Sequence, residues 1–181
     1  MKYKVILKGP VLTRSGYGEQ TRFALRALRA HPGDFDIYLI AVGWGKTGWV
    51  WEDNEERKWI DSLIKKTIQY NATQAPHYDV SLQVTIPNEW EKLAPINIGY
   101  TAGIETTKVA PQWIEKSLLM DHIITVSNFG KETYENTSYQ ATNSQTGQTI
   151  DNFKCRTPIT AVNYCVREFD KKSIDLNLDY D

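Results

Sequence analysis

Cysteine is nearly missing from this chain. Cys155 and Cys165 are the only two in 181 residues, and neither stands in a metal-ligand spacing. That pattern speaks against a disulfide-stapled scaffold and against a cysteine-based metal site. The start shows no signal-peptide pattern, so reduced thiols and a cytoplasmic location are expected, and the Asn-x-Ser/Thr triplets at Asn71 and Asn136 read as chance matches. Long apolar runs are absent too. None approaches the roughly 20 residues that cross a bilayer, so no membrane span is expected. Histidine is scarce, and His31, His77 and His122 are scattered without a catalytic arrangement. Neither sign of charge dominates, with 21 Lys and Arg against 22 Asp and Glu. A general nucleic-acid binder needs a basic excess and is disfavoured.

The length suits one well-cored domain, and 41% hydrophobic with 24% charged residues is ordinary globular composition. Charge is nonetheless uneven. Lys2, Lys4, Lys8, Arg14, Arg22, Arg26 and Arg29 face the single acid Glu19 within the first 31 residues, which suits an anionic ligand or a solvated helix face. The tail beyond residue 168 is acidic.

The chain is organised around residues 8–19, Lys-Gly-Pro-Val-Leu-Thr-Arg-Ser-Gly-Tyr-Gly-Glu. An apolar run at 3–7 precedes it and an amphipathic pattern at 20–30 follows, the opening strand, loop and helix of parallel α/β folds. Gly16 and Gly18 lack a Cβ and so permit positive φ or close approach of a ligand to the backbone. The helix start behind them favours an anion. A turn that needs glycine for shape alone is the competing reading.

Further strands are predicted at 36–42, 79–86, 96–101, 122–126 and 158–164. Helices are predicted at 52–70, at 111–120 behind Pro111, and after a cap at Ser127 or Asn128. Residues 136–151, rich in Ser, Thr, Asn and Gln, read as an exposed loop or insertion. This alternation predicts an α/β fold, a Rossmann-like parallel sheet with helices on both faces and ligands at the carboxyl ends of the strands.

Two nucleotide motifs fail. Residues 43–48 mimic a phosphate-binding P-loop, but that pattern needs glycine at Ile40. A dinucleotide fingerprint needs a small third residue where Thr21 stands, and an acid where the second strand ends in Val42-Gly43.

Several loop ends taken together resemble a known family. These are Ser15-Gly16-Tyr17-Gly18; Gly99-Tyr100-Thr101-Ala102-Gly103-Ile104-Glu105-Thr106 followed by Pro111-Gln112-Trp113; Asp121-His122-Ile123-Ile124-Thr125-Val126-Ser127-Asn128-Phe129-Gly130-Lys131; and Ile159-Thr160-Ala161-Val162-Asn163-Tyr164 leading to Val166 and Phe169. In this order and spacing they resemble the N-terminal half of GT-B glycosyltransferases of the group 1, family 4-like type. The sequence departs from that pattern at Cys165, where the family carries glycine.

The resemblance implies an acceptor-side domain at 1–168, the start of an interdomain linker or tail at 169–181, and a separate or missing C-terminal domain that holds the donor. It implies transfer of a sugar from a nucleotide-sugar donor to a sugar or glycan acceptor, with this half inactive alone and no resident cofactor or metal. Ser15, Gly16, Tyr17, Gly18, Thr106 and Ser127 are the implied substrate-binding residues, and Glu105 is the implied catalytic one. Glu105 follows a strand end, where it can orient or deprotonate an acceptor hydroxyl; loop capping is its competing role. Ser127 is also a natural helix cap. Trp44, Trp49 and Trp51 can stack on a sugar or anchor a core. The alternative to an enzyme is a non-enzymatic α/β binding module for an anionic or sugar ligand.

Overall fold

The first apolar run forms β1 (Tyr3–Gly9), with Val5, Ile6 and Leu7 all buried, as a strand covered on both faces requires. The computed structural model describes residues 1–73, 75–142 and 145–165. β1 pairs in parallel with β2 (Phe35–Ala41) on one side and β3 (Val80–Val84) on the other. β4 (Ile96–Thr101) and β5 (His122–Thr125) continue the sheet. β6 (Ser138–Thr142) and β7 (Thr149–Lys154) pair apart from it, and β8 (Ile159–Ala161) returns to close it beside β5. The result is a six-stranded parallel sheet in the order β2-β1-β3-β4-β5-β8. Strand order reverses at β1, so the carboxyl ends of β1 and β3 flank a topological switch point.

Four helices flank the sheet: α1 (Gly16–Arg29), α2 (Glu55–Asn71), α3 (Pro111–Ser117) and α4 (Asn128–Asn136). Adjacent residues of β5 separate two cores. Ile124 packs with Leu7, Leu39, Val84 and the α1 residues Ala24 and Leu25, whereas Ile123 packs with Ile114 of α3 and Tyr134 of α4. Helices therefore cover both faces, as the Rossmann-like expectation required. Ile60 and Leu63 of α2 join the first core, and α2 also completes the outer edge of β2. There the Leu39 N–H donates to Thr67 Oγ1 (2.7 Å) and Lys66 Nζ donates to the Ile37 carbonyl (2.9 Å). Edge-strand backbone groups covered in this way cannot template aggregation.

The face of β3 and β4 opposite the first core is roofed by the connection between them. Ser81 donates to Asn97 Oδ1 (2.8 Å), which also accepts the Leu93 and Ala94 N–H groups. Gln83 exchanges hydrogen bonds with the Glu91 backbone. Trp90, fully buried, lies over Gly99, where an added Cβ would come within 2.5 Å of the indole.

Two expectations need correction. Residues 136–151 are not a plain loop: β6 and β7 form an antiparallel hairpin. Its polar composition hid a period-two pattern that turns Tyr139 and Phe153 onto the second core, and the Tyr139 hydroxyl donates to the Val109 carbonyl (2.6 Å). α1 begins at Gly16, not near residue 20, so Gly16, Tyr17 and Gly18 are its first turn. The proposed boundary at 168/169, the tail at 169–181, Val166 and Phe169 lie outside the described residues. Among the described residues no helix is long and apolar enough to cross a membrane.

Candidate functional site

Ser15 is the N-cap of α1, accepting the Gly18 N–H at 3.0 Å. Thr13 donates its hydroxyl to the Pro10 carbonyl (2.8 Å) and lies 2.8 Å from Ser15 Oγ. Ser15 is thus engaged inside its own loop, satisfying a helix-end donor that would otherwise be orphaned. No described non-glycine has positive φ, and Gly16 and Gly18 are not among the positive-φ glycines. The glycines do not serve a left-handed turn. A Cβ on Gly18 would sit 2.2 Å from the Thr13 carbonyl oxygen, whereas one on Gly16 meets nothing within 4 Å. Gly18 is needed where helix and loop touch. Gly9 has the same need against Thr21, 2.5 Å from a built Cβ, and the sequence did not mark it.

The basic surplus of this unit is largely consumed internally. Arg22 is only 8% exposed, donates to the Val11 and Thr13 carbonyls (2.6 and 3.0 Å) and pairs with Glu19 at 2.8 Å. Arg14 pairs with Glu52 (2.7 Å), and Arg26 bonds Glu56 through two nitrogens. Burial of Arg22 answers the question left open by the charge count: this arginine braces the loop.

Tyr17 links this loop to the middle of the sheet. Its hydroxyl lies 2.9 Å from Thr101 Oγ1 and accepts the Ala102 N–H at 3.2 Å. Its ring packs on Trp44, centroids 4.5 Å apart. Burial raises the Tyr17 pKa against the opposing pull of its Thr101 and Ala102 hydrogen bonds, so the phenol is neutral at neutral pH.

Beyond β4 the chain turns at Gly103, whose φ of 87° is open to glycine. Glu105 and Thr106 follow, both exposed, and the Thr106 hydroxyl donates to the Lys108 carbonyl (2.8 Å). Beyond β5, Ser127 caps α4 by accepting the Gly130 N–H at 3.0 Å. After β8, the Val162 N–H donates to the Thr125 carbonyl (2.8 Å), which extends the pairing of β8 with β5 by one residue. These three strand ends border an open cleft of about 830 Å³ lined by Gly103, Glu105, Thr106, Ser127, Phe129 and Tyr164, among others.

The structure therefore brings Glu105, Thr106 and Ser127 to one cleft. Tyr17 reaches it through Ala102, a lining residue, while Ser15, Gly16 and Gly18 are not among its lining. Phe129 and Tyr164 were not singled out from the sequence as site residues. Both lie in segments that carry the family resemblance, but as lone aromatics next to predicted strands they read as core residues. A groove of about 610 Å³ between α3 and the hairpin contains none of the expected site residues. Among the described residues no group of three or more His, Cys, Asp or Glu is placed to hold a metal ion. Compared with protein-family models, with curated proteins and with solved structures, the chain matches none of them.

Proposed function

We propose that the chain is the acceptor-side domain of a GT-B-like glycosyltransferase that moves a sugar from a nucleotide-sugar donor to a sugar or glycan hydroxyl. The observation that carries this reading is the gathering of Glu105, Thr106 and Ser127 at one cleft on the carboxyl edge of the sheet. Engagement of Arg14, Arg22 and Arg26 in ion pairs supports it further, because little charge on this unit is left for a donor diphosphate. The diphosphate then belongs to a second domain, and this one presents the acceptor. In the reaction the Glu105 carboxylate holds the attacking hydroxyl. As its proton passes to the Glu105 carboxylate and from there to water, that oxygen bonds to the anomeric carbon, the bond from that carbon to the diphosphate oxygen breaks, and the nucleoside diphosphate leaves with the electron pair.

One observation favours the runner-up, a non-enzymatic binding module: Glu105 is exposed, where water competes for the substrate hydroxyl.

The test offers the chain, alone and with a GT-B donor domain, a panel of nucleotide sugars and glycan acceptors, with product read by mass spectrometry. Transfer is expected only with the donor domain present, and Glu105→Gln should lower it by about 10²-fold at unchanged melting temperature. Equal rates for wild type and Glu105→Gln would remove Glu105 from the mechanism. Binding of a sugar with no transfer in any combination would favour the binding module.

A further inference from the structure

We propose that the connection between β2 and α2 carries a second, outer binding site for a neutral glycan, built on Trp49 and Trp51. The choice of a sugar as ligand rests on reading this edge of the sheet as an acceptor site.

The connection is held firmly to the first loop. The Val50 N–H donates to the Leu12 carbonyl (2.8 Å), the Arg14 N–H donates to the Gly48 carbonyl (2.7 Å), and Thr13 and Trp49 form an antiparallel bridge. From this fixed backbone the side chains alternate. Val50 and Glu52 turn in to line a polar cleft of about 380 Å³ with Arg14 and Asn54. Trp49 and Trp51 stay outside, 58% and 77% exposed. Indoles belong among the more buried side chains, so two held in water on an ordered segment mark a contact surface.

The chemistry beside them selects the ligand. The Arg14 guanidinium stands 5.9 Å from the Trp51 ring centre and 2.7 Å from Glu52 Oε1, so the charge next to the ring is internally neutralised. Neither a phosphate nor a cationic peptide gains from such a pair. The pair itself is half exposed, 49% for Arg14 and 45% for Glu52, so it borders the ring at the surface, while Glu52 Oε2 is buried. A pyranose presents an apolar C–H face to an indole and neutral hydroxyls at its rim, which matches an aromatic ring edged by a neutralised, half-exposed ion pair. The same connection reaches towards the inner cleft: its Trp44 packs on Tyr17, which accepts the N–H of Ala102, a residue of the cleft lining. An acceptor longer than one sugar would reach from the cleft outward to this pair.

The experiment titrates the 181-residue chain with chitopentaose, cellopentaose and maltopentaose, followed by tryptophan fluorescence and calorimetry. At least one should bind with a change in emission. Trp51→Ala should weaken it about tenfold, the size of one aromatic contact, and Trp49→Ala with Trp51→Ala should abolish it. Both residues are exposed, so melting should stay unchanged. No binding of any of the three at millimolar sugar, or binding unaltered in the double variant, overturns the proposal. So does concentration-dependent dimerisation of the wild type that the double variant loses, since the indoles would then meet a second copy. Glycan binding that needs the tryptophans, in a protein that transfers no sugar, upholds this site and removes the enzymatic reading. Glu105-dependent transfer with an unchanged KM for a pentasaccharide in the double variant does the reverse.

Discussion

Placing a methyl group on Gly18 tests whether the first loop is a packing joint. Gly18 is the third residue of α1, and its built Cβ lies 2.2 Å from the Thr13 carbonyl oxygen, 2.8 Å from Thr13 Oγ1 and 3.0 Å from the Pro10 carbonyl oxygen. Two of these are backbone atoms and cannot swing aside. The loop also cannot retreat freely, because Arg22 holds the Val11 and Thr13 carbonyls and Thr13 holds Pro10. Overpacking costs about 1–3 kcal/mol, and a 2.2 Å approach to a backbone atom puts this case at about 2–3 kcal/mol. Removing glycine from a helix returns at most about 1 kcal/mol. A net loss of about 1–2 kcal/mol is therefore expected, or roughly 2–8 °C in Tm for a chain of this size. Gly16, one turn position away from any neighbour, is the internal control: Gly16→Ala should be neutral or stabilising by a few tenths of a kcal/mol. Both variants are compared with wild type by thermal melting and urea unfolding. A Gly18→Ala protein that melts at or above wild type, or a Gly16→Ala protein damaged equally, would refute the packing argument and return the glycines to a role in ligand approach.

Further outcomes follow from the same structure. Gly99→Ala should destabilise by about 1–3 kcal/mol because the new methyl collides with the Trp90 ring, and urea unfolding with near-ultraviolet circular dichroism reads both the loss and the displaced indole. Tyr17→Phe leaves the Ala102 N–H without its acceptor, so hydrogen exchange at Ala102 should accelerate severalfold while the emission of the adjacent Trp44 changes little. Tyr38 is pushed up to about 12, first by burial and then by its hydrogen bond to Asp36. Its protonated form is favoured in the folded state, so its contribution is complete below about pH 10 and is lost as pH rises towards 12. Urea midpoints between pH 9 and 12 should fall for wild type and fall less steeply for Tyr38→Phe; parallel slopes would show that Tyr38 is not the group responsible.

Much of the scaffold was legible because its signals are local. The fourth strand was read as residues 96–101 and forms there, Pro111 begins α3, and Ser127 caps α4. Each depends on a few neighbouring residues: an apolar run, a fixed φ, a hydroxyl beside free N–H groups. Strands alternating with helices then force a parallel sheet, and parallel sheets collect their loops at the carboxyl ends, the edge where Glu105, Thr106 and Ser127 lie. The hairpin of β6 and β7 escaped because its polar residues outvote the two aromatics that anchor it, and their anchorage lies on α3 and its approach.

What only the tertiary structure decided is which distant groups meet. Strand order brings Tyr17 to Thr101 across 84 positions and Lys8 to Glu91 across 83, and no window of sequence contains either pair. Composition counted Arg22 as available charge; folding buries it against two carbonyls and Glu19. Sequence could say that Gly9, Gly18 and Gly99 lack a side chain. The space that forbids one is occupied by Thr21, Thr13 and Trp90, and that occupancy exists only once helix, loop and sheet have closed on one another.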